Sequence, residues 1–222
     1  MAPPALALKL YYFDVDGKGQ AIRLLCAHLG LALQDHRFAS RDEFHALKAD
    51  GTLPFGQVPL LEVTDAAGAV TRIAQSNTIL RFIAKLGGAY PTDALSAAAI
   101  DSAMDQEVDA FVGPTVISYS TRFGIALDEA QTAAAVSLIA TETFPRHLGF
   151  VEALLGQSDS GWIAGTPEPS PADFVWGTRL GTYLPSRDHI FPEALRNLDG
   201  YPRCKAFVAK FKALPAVAGS AK

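Results

Sequence analysis

Three short stretches of the chain carry groups able to hold a small peptide-like anion. Tyr12 closes an apolar run, Leu8–Phe13, just before a turn containing Asp16 and Gly17, so its phenol stands where a ligand can lie across strand ends. Gln57-Val58-Pro59 precedes a second apolar run, and a proline there donates no ladder bond. A cis Val58–Pro59 bond would leave the Val58 backbone to pair with an extended peptide as an added strand. Gln75-Ser76 opens a helical pattern in which Ser76 is the natural N-cap, and the first N–H groups of a helix attract a carboxylate. Singly, each has a plain structural reading: a half-buried strand tyrosine, a loop proline, a helix cap. As a set they converge on a short anionic peptide.

Other chemistries find less support. The histidines (28, 36, 45, 147 and 189) show no i, i+4 pairing and no Cys/His cluster, so no metal site is expected. There is no Cys-x-x-Cys, no Gly-x-Ser-x-Gly and no Walker-type phosphate loop. Gly17-Lys18-Gly19-Gln20-Ala21-Ile22 misses a dinucleotide fingerprint by its third glycine, and Asp35 falls at the start of the next strand instead of its end. The net charge of −4 and the lack of a basic stripe argue against nucleic acid as a partner. A 49% hydrophobic and 19% charged composition excludes disorder. The longest uncharged stretches run about a dozen residues, short of the roughly 20 that cross a bilayer, so no membrane role is expected. Met1–Leu8 lacks a charged start to a secretory signal, and two distant cysteines fit a reducing compartment. A cytoplasmic protein is expected.

The elements that must position these groups follow from periodicity. Leu8–Phe13 reads as a strand, and Ile22, Leu25, Cys26 and Leu29 as a helix stopped by Gly30. Gln34–Phe38 suggests a strand, Arg41–Ala49 a helix, and Leu60–Thr64 with Val70–Ala74 a hairpin around Asp65–Gly68. Ser76–Leu86 closes the series, giving a mixed four-stranded sheet covered by helices. Beyond Gly87-Gly88 only helical patterns occur. Ile100, Met104, Val108 and Phe111 form one stripe. Asp128 with Gln131 boxes the start of a helix through Val136, Ala140 and Phe144 towards Leu155. Ser170-Pro171-Ala172-Asp173 is a second box, and Phe207, Val208, Phe211 and Leu214 mark a last helix. The expected division is 1–87 for the α/β domain, 88–96 for a linker and 97–222 for an all-α domain.

These residues, in this order, resemble the cytosolic glutathione transferases, most closely the tyrosine-dependent branch that includes the sigma and alpha classes. The resemblance rests on Tyr12-Phe13 with Gly17 and Arg23, Leu53–Pro59, Gln75-Ser76, Trp162–Gly165, Ser170–Asp173 and Leu214–Val217. It implies a thioredoxin-like N-terminal domain holding glutathione as cosubstrate, and a helical domain supplying a pocket for a hydrophobic electrophile. Tyr12 would then hydrogen-bond the glutathione sulfur. Lys48 would face the glycyl carboxylate, Gln57, Val58 and Pro59 the cysteinyl backbone, and Gln75 with Ser76 the γ-glutamyl end. Phe44 stands where the sigma-like pattern often has tryptophan. A homodimer is implied, with Asp109 reaching the partner subunit's γ-glutamyl amine, Asp105 at a second acidic family position and Phe55 a candidate interfacial aromatic. Phe13, Val15, Phe111, Val116, Phe207 and Phe211 are the candidates for the electrophile pocket.

Two features depart from the family pattern. Asp16 stands where close relatives usually carry arginine, and Gln20 replaces a usual glutamate. A positive charge before Gly17 would favour the thiolate, whereas Asp16 opposes it; Lys18, in the same loop, is the candidate compensation. Conjugation of glutathione to electrophiles is therefore set beside two alternatives: a glutathione-dependent isomerase of the sigma type, and a non-catalytic binding or structural protein on the same scaffold.

Overall fold

The computed structural model of the protein describes residues 6–220, so most of the stretch read for a secretory signal, Met1–Ala5, lies outside the described residues. The chain divides into two units, Met1–Pro91 with Leu214–Lys222, and Thr92–Ala213.

The first unit is built on four strands: β1 (Ala7–Tyr12), β2 (Leu33–Arg37), β3 (Leu60–Thr64) and β4 (Val70–Ala74). They lie in the order β2-β1-β3-β4, with β1 and β2 parallel and the remaining pairs antiparallel. Alternation along β1 sends Leu8, Leu10 and Tyr12 to the buried face and Lys9 and Tyr11 to the other. Helices α1 (Gln20–His28) and α3 (Ser76–Leu86) pack side by side, burying Ile22, Leu25, Ile79 and Ile83 completely. Between them in sequence, α2 (Arg41–Ala49) buries none of its residues. Cys26 lies in the α1 core, where burial pushes its thiol up to about 12.

The second unit contains α4 (Ala94–Ser118), α5 (Glu129–Leu138), α6 (Phe144–Gly156), α7 (Pro171–Thr178), α8 (Glu193–Arg196) and α9 (Pro202–Lys212). Asp93 caps α4 by accepting the Ser96 N–H at 2.8 Å, so this helix starts inside the stretch expected to be linker. The short α10 (Pro215–Ala218) follows Leu214 and packs on α1, so the chain end belongs to the first unit, not to the helical domain as expected.

Both anticipated capping boxes form. Gln131 N–H donates to Asp128 at 2.8 Å and Asp128 N–H to Gln131 at 3.0 Å. Asp173, fully buried, receives the Ser170 N–H, the Ser170 hydroxyl and the Ile163 N–H, each at 2.8 Å.

One packing expectation fails. Val108 is 44% exposed and Glu107, its neighbour, 2%. The buried face of α4 runs Ile100, Ala103, Met104, Glu107, Ala110, Phe111 and Pro114, a continuous i, i+3/i+4 register that Val108 does not share. Glu107 is tolerated there because Arg179 forms an ion pair with it, while the Arg179 guanidinium stacks 4.8 Å from Phe111 and 4.7 Å from Tyr183. The helix expected through Val136, Ala140 and Phe144 towards Leu155 forms, with a π-helical turn, Ile139–Thr143, joining α5 to α6. That turn rephases the buried side, which continues as Ile139, Phe144, Leu148, Val151 and Leu155 instead of through Val136 and Ala140.

Candidate active site

Tyr12 sits at the carboxyl end of β1, its side chain almost wholly buried. The following loop crosses directly over the ring. A methyl group added at Gly17 would stand 2.5 Å from the Tyr12 hydroxyl oxygen, and one at Gly19 2.5 Å from Cδ1. Gly17 also has a φ of +38°, so glycine meets both demands at once. The Lys18 backbone N–H donates to the Tyr12 hydroxyl at 2.9 Å. That contact polarises the phenol and strengthens its O–H as a donor. It also shows what the sequence left hidden: Lys18 touches the tyrosine through its backbone.

Arg23 of α1 holds the same loop from below. Its Nε bridges Asp35 at 3.0 and 3.1 Å, its Nη1 donates to the Val15 carbonyl at 2.9 Å, and its Nη2 to the Phe13 carbonyl at 3.2 Å. Arg37 continues the network, pairing with Asp35 at 2.7 Å and with Asp14. Asp35 thus works as the hinge of an ion-pair network and not as a ribose ligand, consistent with its place on β2. Asp16 is exposed, so water screens its charge.

Strand register brings the three candidate stretches together. Leu60 pairs with Tyr11 on one side and with Ala74 on the other. Tyr12, Val58-Pro59 and Gln75-Ser76 are therefore each within two residues of a single row. Strands lie about 4.8 Å apart, so the row spans about 10 Å, close to the reach of three extended residues. The Val58–Pro59 bond is cis, with Pro59 buried and Val58 half-buried. No backbone hydrogen bond of Val58 occurs among the described residues.

Gln75, not Ser76, is the residue that precedes the helix; Ser76 is the first residue of α3. The reason is backbone conformation. Gln75 has φ +71° and ψ 118°, outside the helical region, whereas Ser76 is already helical. A non-glycine residue at positive φ costs of order 1–3 kcal/mol, and such outliers gather at ligand-binding positions. Gln57 and Gln75 are exposed and Ser76 half-buried.

On α2, Phe44 joins an aromatic cluster, 5.3 Å from Phe13 and 6.1 Å from Phe38. Lys48 is exposed, its stem resting on Gly56, where a Cβ would meet Lys48 Cε at 3.1 Å. The C-terminal part of α2 therefore lies beside the loop leading to Pro59.

The pocket candidates separate sharply. Phe111, Phe207 and Phe211 are each 2% exposed and belong to the interior of the second unit, a correction to their expected place in a pocket. Phe111 packs on Phe144 and Tyr183, Phe207 on Trp162, and Phe211 on Phe174; any side chain at Gly177 would run into the Phe211 ring. Apolar periodicity marks a buried face but does not say whether protein or ligand covers it. Phe13 and Val116 are half-buried and Val15 is 57% exposed. Asp105 and Asp109 both stand on the exposed side of α4. Burial and the Arg146 charge disfavour the His147 imidazolium, and the Asp109 charge favours it. Phe55 is 63% exposed.

Among the described residues no group of three or more His, Cys, Asp or Glu gathers as metal ligands, and no helix is long and apolar enough to cross a membrane.

A mixed β2-β1-β3-β4 sheet covered by helices and followed by further helices defines a thioredoxin-like domain joined to an all-α one. Residues 120–219 match the family model described as glutathione S-transferase, C-terminal domain. The chain is 30% identical over 207 residues to glutathione S-transferase 1 of Ascaris suum, covering 93% of this chain and 91% of that one. It is 30% identical over 210 residues to the hematopoietic prostaglandin D synthase of Gallus gallus, covering 95% and 92%. A solved monomeric glutathione S-transferase from the hookworm Necator americanus superposes with a TM-score of 0.73 at 28% identity, covering 96% of this chain and 95% of that one. The chain belongs to the glutathione S-transferase family.

Proposed function

We propose that the protein binds glutathione along the β1–β3–β4 row and activates its thiol for attack on hydrophobic electrophiles, with Tyr12 as the hydrogen-bond donor to the sulfur. The observation that carries this reading is the Tyr12 hydroxyl, placed at the strand end under Gly17 and Gly19 and receiving the Lys18 N–H. Tyr12 acts here as donor through its O–H. Lowering a thiol pKa of about 8.5 by about two units requires ~2.7 kcal/mol, and one hydrogen bond to a charged acceptor supplies about 1.5–3 kcal/mol. Tyr12 and the start of α1 are therefore sufficient without an arginine at position 16, whose aspartate is solvated. Val58 pairs with the cysteinyl backbone beside Gln57 and Pro59, Gln75 and Ser76 take the γ-glutamyl carboxylate at the start of α3, and Phe44 with Lys48 takes the glycyl end. Phe13 and Val15 offer apolar surface to the electrophile.

Ultraviolet difference titration of bound glutathione tests this. In the wild type the thiolate appears well below the free thiol's pKa; Tyr12→Phe moves it up by about one to two units and lowers turnover about ten- to a hundredfold. Unchanged titration in Tyr12→Phe removes Tyr12 from the role and directs attention to Tyr11. Bound glutathione with no thiolate across the neutral range identifies a non-catalytic binding protein.

The identity to a prostaglandin D synthase favours one second reading: the same thiolate serving an isomerase, distinguished by product analysis with conjugation and endoperoxide substrates. We also propose a cytoplasmic homodimer in which Asp109 reaches the partner's bound γ-glutamyl amine. Light scattering decides it, because the hookworm relative is described as monomeric.

A further inference from the structure

The helix that carries Phe44 and Lys48 lies at the surface of the first unit. No residue of α2 is buried, so hydrophobic packing does little to fix it. One acidic side chain takes over that task. Glu43 Oε1 lies 2.6 Å from His36 Nε2, on the sheet face opposite α1, and Glu43 Oε2 accepts the Ala39 N–H at 3.0 Å. The helix start is capped in addition by Ser40, which accepts the Glu43 N–H at 3.4 Å. His36 is itself fixed by the sheet. It pairs in register with Tyr11, whose ring lies 4.9 Å away, and Phe38 stands 5.8 Å away on its other flank. Tyr11 is held in turn by its hydroxyl donating to Glu62 at 2.8 Å and by Lys9 stacked 4.6 Å from the ring, while Arg72 pairs with Glu62. A polar chain thus runs from β4 across the sheet face to the first turn of α2.

We propose that His36 and Glu43 form a latch that positions α2, and through it Phe44 and Lys48, for the glycyl end of the bound peptide. The inference rests on the proposed glutathione reading for its ligand, but the latch itself is a property of the empty protein. Both are positioning residues: neither lies in the β1–β3–β4 row. The hydrogen bonds from His36 and Ala39 hold the Glu43 carboxyl below the usual carboxylate range.

The test compares two ligands, glutathione and γ-glutamylcysteine, which lacks the glycine. Glu43→Ala and His36→Ala should raise the glutathione Kd roughly tenfold, the size of one lost charge-assisted contact, and leave that of γ-glutamylcysteine within about twofold. His36→Gln, whose amide nitrogen reaches the position of Nε2, should restore glutathione affinity. Hydrogen exchange of α2 amides in the unliganded protein should accelerate in both alanine variants with no change in α1 or α3. Equal losses for the two ligands, or α2 exchange unchanged in Glu43→Ala, overturns the latch. A wild type that binds neither ligand overturns the proposed function instead, and α2 exchange still decides the latch.

Discussion

Two helices of almost equal length are held in opposite ways. All eight residues of α7 are buried, and its ring of contacts includes Trp176 donating to the Ala103 carbonyl at 2.7 Å and Asp173 satisfied by three donors. None of the nine residues of α2 is buried, and its first turn hangs on a histidine–glutamate contact at the sheet. A helix embedded on all sides can open only with the whole fold. A helix tied by surface polar contacts opens locally, at a small fraction of the global free energy. The binding residues proposed for the glycyl end are on the second kind of helix, and the fold core is on the first.

The contrast is broken most severely at Trp176. Trp176→Ala removes a fully buried ring together with its hydrogen bond to the Ala103 carbonyl, and should cost about 3–5 kcal/mol of stability in denaturant unfolding. Glu107→Ala comes next. It leaves Arg179 buried and uncompensated, apart from its aromatic neighbours, and should cost about 3 kcal/mol. A replacement by methionine at both positions should recover much of that loss, since well-packed apolar groups substitute for buried ion pairs. Phe44→Ala stands at the other end. It should shift the global midpoint by about 1 kcal/mol or less, yet speed exchange across α2. A global loss from Phe44→Ala as large as that from Trp176→Ala would erase the distinction between the two helices.

Strong local signals were legible in the sequence. The hairpin Leu60–Thr64 and Val70–Ala74, the helices over 41–49 and 76–86, and both capping boxes stand where residue pattern places them. What failed was phase and coverage. Val108 fits an apolar stripe by type, but helical phase puts Glu107 inward, and only the distant Arg179 makes that acceptable. The π turn at Ile139–Thr143 adds a step that no local pattern announces. Phe111, Phe207 and Phe211 carry the same apolar label in a core or in a pocket, and their neighbours decide between them. At the candidate site, Tyr12, Pro59 and Gln75 were visible as residue types. The Lys18 backbone contact and the role of His36 were not, because one involves an N–H that every residue has and the other a partner brought in by the fold.

The amino-acid sequence by itself determined the order of elements and the division into an α/β and a helical part. Periodicity, caps and turn residues act over a few positions, and those properties are local. Tertiary structure alone decided that Leu60 would join Tyr11 to Ala74 and so draw three separate stretches into one row. It also decided which aromatics are core, how Glu107 is neutralised and what holds α2. Each of these depends on groups far apart in the chain, whose meeting is set by packing and strand register.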